Sequence, residues 1–153
     1  MSNTSTHNLV VGVDLGGTNM QAAVINASNE IIGRYHTPTN ANRGSHAVID
    51  DLVEAVGRAC ERANTVVGDL SATGVAVAGA VDIPSGSVLH APNLGWTDVS
   101  LKTILSERLS CPVMLDNDVN AAIWGEVRCG AAHNKSEALG VWVGTGVGGG
   151  LVL

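Results

Sequence analysis

Short apolar blocks separated by turn residues open the chain. Leu9-Val-Val-Gly-Val-Asp14 is an apolar run ending at a carboxylate and a turn, Gly16-Gly17-Thr18, and Met20-Gln-Ala-Ala-Val-Ile25 follows it. A polar break, Asn26-Ala-Ser-Asn29, leads to Ile31-Ile-Gly-Arg-Tyr35. Runs of this length with tight turns between them predict three strands in a β-meander. The stretch His36-Thr-Pro-Thr-Asn40 is expected to end it, because Pro38 has no N–H with which to continue a ladder.

From Ser45 the period changes. Val48, Ile49, Leu52, Val53, Val56 and Cys60 recur at three- and four-residue intervals, with Asp50, Asp51, Glu54, Arg58 and Glu61 mostly on the other face. That pattern predicts an amphipathic helix of about four or five turns. Thr73 to Gly79 reads as a strand flanked by small residues. Val81 to Trp96, rich in Pro, Gly and Asn, reads as a functional loop with a small hairpin. Leu101, Ile104, Leu105 and Leu109 mark a second helix, and Pro112 to Asp116 another buried strand. Asp118 to Val127 is predicted to be a third helix, with Asn117 and Asp118 as capping candidates. Ala138 to Val143, a glycine-rich turn at 144–150 and Leu151-Val-Leu153 complete the pattern. The order β-β-β-α-β-α-β-α-β-β predicts an α/β fold in which antiparallel strands feed a mixed sheet.

Composition narrows the function. Of 153 residues, 45% are hydrophobic and 14% charged, enough apolar material for a core and unlike a disordered chain. No apolar run approaches the roughly 20 residues a membrane span needs. Eight Lys and Arg against 14 Asp and Glu leave a net charge of −6, which argues against a nucleic-acid partner. Cys60, Cys111 and Cys129 are widely spaced, without C-x-x-C, so neither a disulfide framework nor a zinc ribbon is indicated. The polar first eight residues resemble no secretory leader and are expected to be disordered, with the cytoplasm as the default compartment. The 19 glycines and the absence of Phe imply a core of small and aliphatic side chains.

Three segments carry candidate chemistry. In Asp14-Leu-Gly-Gly-Thr18 the glycines let the backbone approach an anion, Thr18 adds a hydroxyl donor, and Asp14 could hold a hydrated Mg²⁺ beside a phosphate. A plain hairpin turn with a solubilising Asp is the competing reading. Gly144-Thr-Gly-Val-Gly-Gly-Gly150 matches neither the P-loop nor the Rossmann pattern, and an apolar, strand-like segment follows it. Beside the first turn, it suggests a second phosphate-gripping hairpin. Leu115-Asp-Asn-Asp-Val-Asn120 puts carboxylates at a strand end leading into a helix. Asp118 there could accept a proton from a substrate hydroxyl, with Asp116 the weaker candidate and helix capping the plain alternative. Asn93, in Ala91-Pro-Asn-Leu-Gly-Trp96, can donate to and accept from a sugar hydroxyl, whereas Trp96 reads as a core residue. The five histidines show no metal-ligand spacing.

Taken in order, Asp14–Thr18, Gly74–Asp82, Pro92–Trp96, Leu115–Asn120 and Gly144–Gly150 resemble the motifs of the bacterial ROK family (repressors, open reading frames and kinases), its glucokinases above all. The resemblance runs from about Leu9 to the end of the chain. It implies the actin/Hsp70/hexokinase-like (ribonuclease H-like) fold, two α/β lobes around a nucleotide cleft. Residues 9–115 would be the first lobe, and 116–153 the start of the second. Carried over by motif, Asp14, Gly16, Gly17 and Thr18 match one phosphate loop and Gly144, Thr145 and Gly146 the other. Gly79, Asn93, Asn117 and Asp118 match sugar-contacting positions, with Asp118 the catalytic base. The implied reaction moves the γ-phosphoryl of ATP, with Mg²⁺, to a hexose, and glucose is the favoured substrate. The family's adenosine pocket, the Glu and His that complete its sugar site and its zinc motif find no match within these 153 residues. The rival classes are a sugar-sensing repressor and a non-catalytic half-kinase acting as an interaction module, in which an open lobe interface would favour a homodimer.

Overall fold

Alternate side chains of a strand point to opposite sides of its sheet, and in β1 (Leu9–Leu15) the buried set is Leu9, Val11, Val13 and Leu15. The structure, a computed structural model, describes residues 8–143 and 147–153. β1, β2 (Asn19–Ile25) and β3 (Ile31–Pro38) form the expected antiparallel meander. β3 runs on to Pro38, opposite Asn19, instead of stopping before the proline. It can do so because β3 is the edge strand, with one side free of ladder hydrogen bonds.

α1 (Ser45–Arg62) buries Val48, Ile49, Leu52, Ala55, Val56, Ala59 and Cys60 against the meander. Val53, expected in that stripe, is only half-buried, and Ala55 and Ala59 take its place where the helix approaches the sheet. β4 (Leu70–Val77) pairs in parallel with β1, and β8 (Val113–Asn117) in parallel with β4, giving a five-stranded sheet of order β3-β2-β1-β4-β8. α2 (Leu101–Leu109) packs beside β8 through Leu101, Leu105 and Leu109. Each Leu or Val buried in this layer contributes about 1.5–3 kcal/mol relative to exposure.

The stretch expected to be a loop with a small hairpin is a three-stranded antiparallel sheet: β5 (Ala80–Asp82), β6 (Ser87–Ala91) and β7 (Trp96–Val99). Its Pro and Gly residues fall in the connections, Pro92 in a short 3-10 turn and Gly95 in the left-handed conformation just after it. Trp96 is a core residue, as its apolar bulk suggested, at 2% exposure. α3 (Asp118–Cys129) follows β8 directly, and a hairpin of β9 (Ala138–Val143) and β10 (Val147–Val152) packs on it. The first sheet therefore takes in Asp116 and Asn117. No helix among the described residues is long and apolar enough to cross a membrane.

Candidate active site

β1, β4 and β8 are parallel, so their C-terminal ends share one edge of the sheet, where open α/β sheets bind ligands. β1 leads there into the Gly16-Gly17 turn, β4 into Ala78-Gly79, and β8 into Asp118. One cross-strand row runs Gln21, Asp14, Ala76, Asp116. At strand spacings of about 4.8 Å, Asp14 and Asp116 stand roughly 10 Å apart on the face of the sheet left open by α1 and α2.

The Gly16-Gly17 turn is braced from a distance. Thr39, fully buried, donates its hydroxyl to the Gly16 carbonyl at 2.7 Å and its backbone N–H to the Thr18 carbonyl at 2.9 Å. Asn93 lies against Gly17, and Gly16, Gly17, Thr18, Asn19 and Asn93 line an open cavity of about 420 Å³. The turn that was read as a phosphate grip and the asparagine that was read as a sugar contact thus share one cavity. On the neighbouring strand end, Gly79 is pressed against Ala91 and the His90 carbonyl, and a Cβ at Gly79 would meet both at 2.7 Å.

Asp118 begins α3. Asn117 is its N-cap, accepting hydrogen bonds from the N–H groups of Val119 and Asn120, as the sequence led us to expect. Asp118 shares a second open cavity, about 400 Å³, with Asp14, Val119 and Trp142. Asp14 keeps solvent access, yet loss of water around its carboxyl, and then the nearby charge of Asp118, raise its pKa above the ordinary 3.8. Two carboxylates facing one cavity, one of them uneasy when ionised, suit a divalent cation. Mg²⁺ characteristically takes one or two carboxylates and fills its other sites with water and phosphate oxygens, so Asp14 fits as its protein ligand. Among the described residues no group of three His, Cys, Asp or Glu side chains is assembled for a metal.

The site residues expected from sequence are therefore gathered along one sheet edge, from Asp14 through Gly16, Gly17, Thr18, Gly79 and Asn93 to Asn117 and Asp118. Gly144, Thr145 and Gly146 lie outside the described residues. Sequence reasoning missed Thr39, whose partners stand more than 20 positions away and which no period marks. It also passed over Asn120, which donates to Asp116 Oδ1 at 3.1 Å, although an Asn four residues past an Asp on a helix start is a readable signal.

The family model for the ROK family matches residues 10–153. The chain belongs to the ROK family. A glucokinase of Halalkalibacterium halodurans is 35% identical over 93% of this chain and 43% of its own length. A putative xylose repressor of a Caldicellulosiruptor species is 33% identical over 95% of this chain and 36% of its own. Among solved structures, a ROK family glucokinase from Streptomyces griseus, crystallised with glucose and AMPPNP, superposes with a TM-score of 0.85 at 35% identity. That match covers 95% of this chain and 44% of the other. ROK hexokinase from Thermus thermophilus gives 0.84 at 36% identity, over 95% and 47%. This ROK chain spans less than half the length of these relatives and has the α/β, mixed-sheet fold of the family's sugar kinases.

Proposed function

We propose that this ROK chain provides the hexose- and phosphate-handling part of an ATP-dependent sugar kinase, with glucose converted to glucose 6-phosphate as the favoured reaction. The observation that carries the reading is the convergence of the Gly16-Gly17 turn, Asn93, Gly79 and Asp118 on the C-terminal edge of three parallel strands. A glucokinase solved with glucose and AMPPNP shares this fold at 35% identity, which supports the sugar and the donor.

In this reading the glycine turn, together with Gly144, Thr145 and Gly146, holds ATP phosphates through backbone N–H groups, and Thr18 adds its hydroxyl. Asn93 and the Gly79 region hold the hexose. Mg²⁺ at Asp14 supplies neutralisation of the phosphate charge when bound. Asp118 takes the proton of the sugar 6-hydroxyl as its oxygen bonds to the γ-phosphorus, and the bond to the β,γ-bridging oxygen breaks to release ADP. Positioning and charge neutralisation are most of what such a transfer asks of a protein.

The test is glucose binding by calorimetry together with glucose-dependent ADP release from Mg-ATP. Glucose binding with turnover supports the kinase. Binding of glucose or xylose without turnover favours a sugar-sensing domain, the second reading that the xylose repressor relative supports. No sugar binding at all removes both and leaves an interaction module, for which self-association would be the next measurement.

A further inference from the structure

Carbonyl groups around the Gly16-Gly17 turn are taken up by the protein itself. That of Asn19 accepts the Gly16 N–H at 3.1 Å, that of Gly16 the Thr39 hydroxyl at 2.7 Å, and that of Thr18 the Thr39 N–H at 2.9 Å. The N–H groups of Gly17 and Thr18 have no acceptor among the described residues, and both residues line the cavity shared with Asn93. The turn thus keeps its donors unspent, and Thr39 supplies both of the bonds that reach it from outside.

Thr39 is wholly buried, where a hydroxyl is costly unless it is hydrogen-bonded. Its N–H carries the β2–β3 pairing one step past Pro38. Asn40 then takes the left-handed conformation, with φ at 50°, and turns the chain into a 3-10 turn, Ala41–Arg43. That turn packs against Pro92–Leu94, the segment that carries Asn93. Gly17 itself touches Asn93. The glycine turn and the Asn93 loop are therefore joined twice, once directly and once through residues 39–43.

We propose that Thr39 is a positioning residue that couples two subsites: it holds the Gly16-Gly17 turn with its donors open to a phosphate and fixes that turn relative to Asn93. The proposal deepens the sugar-kinase reading and rests on it for the two ligands. Transfer between bound groups needs the reacting atoms within about 3–3.5 Å of each other. A link between the turn and the sugar loop therefore governs reach as well as affinity. A side chain that served packing alone would have no use for the hydroxyl, because valine fills the same space.

The test is nuclear magnetic resonance of the isotope-labelled chain, with inorganic pyrophosphate as the probe of the turn. Pyrophosphate should shift the Gly17 and Thr18 amide signals. Thr39→Val should weaken its binding by about fivefold, the worth of one lost hydrogen bond, and should displace the Asn93 side-chain signals in the free chain. Thr39→Ser, which keeps the hydroxyl and loses a methyl, should leave the Asn93 signals in place and hold the pyrophosphate Kd within about twofold. A packing role predicts the reverse order, with serine the more damaging because it leaves a void. Serine as harmful as valine, or Asn93 signals that valine does not move, overturns the proposal. Should the valine variant fail to fold, the unaltered chain decides: a Thr39 hydroxyl proton slow to exchange with solvent upholds the bond to Gly16, and a freely exchanging one overturns it. If pyrophosphate binds nowhere, the phosphate reading of the turn falls by itself, and Asn93 signals displaced by valine but not by serine still uphold the coupling.

Discussion

Gly17 and Asn93, 76 positions apart in sequence, touch so closely that a Cβ on Gly17 would fall 2.6 Å from both the Cβ and the carbonyl oxygen of Asn93. Real Cβ atoms do not approach that near, so one of the two segments must move if the glycine is replaced. Gly17→Ala is therefore expected to destabilise the chain by about 1–3 kcal/mol, as other overpacked sites do. It should also weaken hexose binding, because movement of either segment changes the cavity that the turn shares with Asn93. Thermal unfolding and calorimetry on the same variant check both halves; an unchanged Tm means that the contact relaxes without cost.

Thr39→Val removes the hydroxyl that reaches the Gly16 carbonyl while keeping the side chain's shape. The expected loss is about 1 kcal/mol for a part-buried acceptor left without its partner. The damage should be local, seen as faster amide exchange at Gly16 to Asn19 with α1 unaffected. Equal loosening throughout the chain would count against a bracing role.

Asp14 gives a pH dependence with a definite sign. Folding raises its pKa, first by loss of water and then through Asp118, so the fold favours the protonated acid. Its stabilising contribution is fully present below the ordinary value of 3.8 and is lost as pH rises through the raised value. Asp14→Asn should therefore melt at a higher temperature than the unaltered chain at pH 7, and at about the same temperature near pH 3. A variant less stable at pH 7 would show that the carboxylate is stabilised by a partner.

Asp118→Asn keeps the size of the side chain and removes its basicity. Glucose affinity should persist while phosphorylation falls by about 10²–10⁴-fold, the usual contribution of a general base. Turnover close to that of the unaltered chain would remove Asp118 from that role.

Thiol chemistry offers a check on packing. Cys129 is exposed, whereas Cys60 and Cys111 are buried, and burial, then the nearby Asp69 and Cys111, raise the Cys60 thiol. Mild alkylation followed by mass spectrometry should label Cys129 alone until denaturant is added.

Periodicity carried most of the fold. The three-residue and four-residue spacing from Val48 to Cys60 is α1, and the apolar runs at 9–25 are β1 and β2, because burial of one face leaves that imprint directly on the order of residues. The Pro92 and Gly95 signals were legible as turns. The short strands β5, β6 and β7 between such turns were not, since three to five residues with Ser, His and Thr among them hold too little pattern to reveal pairing. The site was legible wherever chemistry fixes residue type: glycine where the backbone must come close, Asp and Asn at a helix start. The support of Thr39 for Gly16 and the hydrogen bond from Asn117 Nδ2 to the Gly79 carbonyl were hidden, because a hydrogen bond across the fold leaves no trace in the spacing of its partners.

α3 belongs to two structures at once. Its first residue stands at the sheet edge, tied by the Asn117 and Asp116 hydrogen bonds, while Val119 and Ile123 rest on Gly148 and Gly150 of the β9–β10 hairpin. The helix is a lever with its fulcrum at the base. With 12 residues and a rise of about 1.5 Å each, a tilt of roughly 10° carries the Cys129 end through about 3 Å and leaves Asp118 almost where it was. The hairpin rides on the helix, so such a tilt would carry the Trp142 wall of the cavity that Asp14 and Asp118 share without disturbing the aim of the carboxylate.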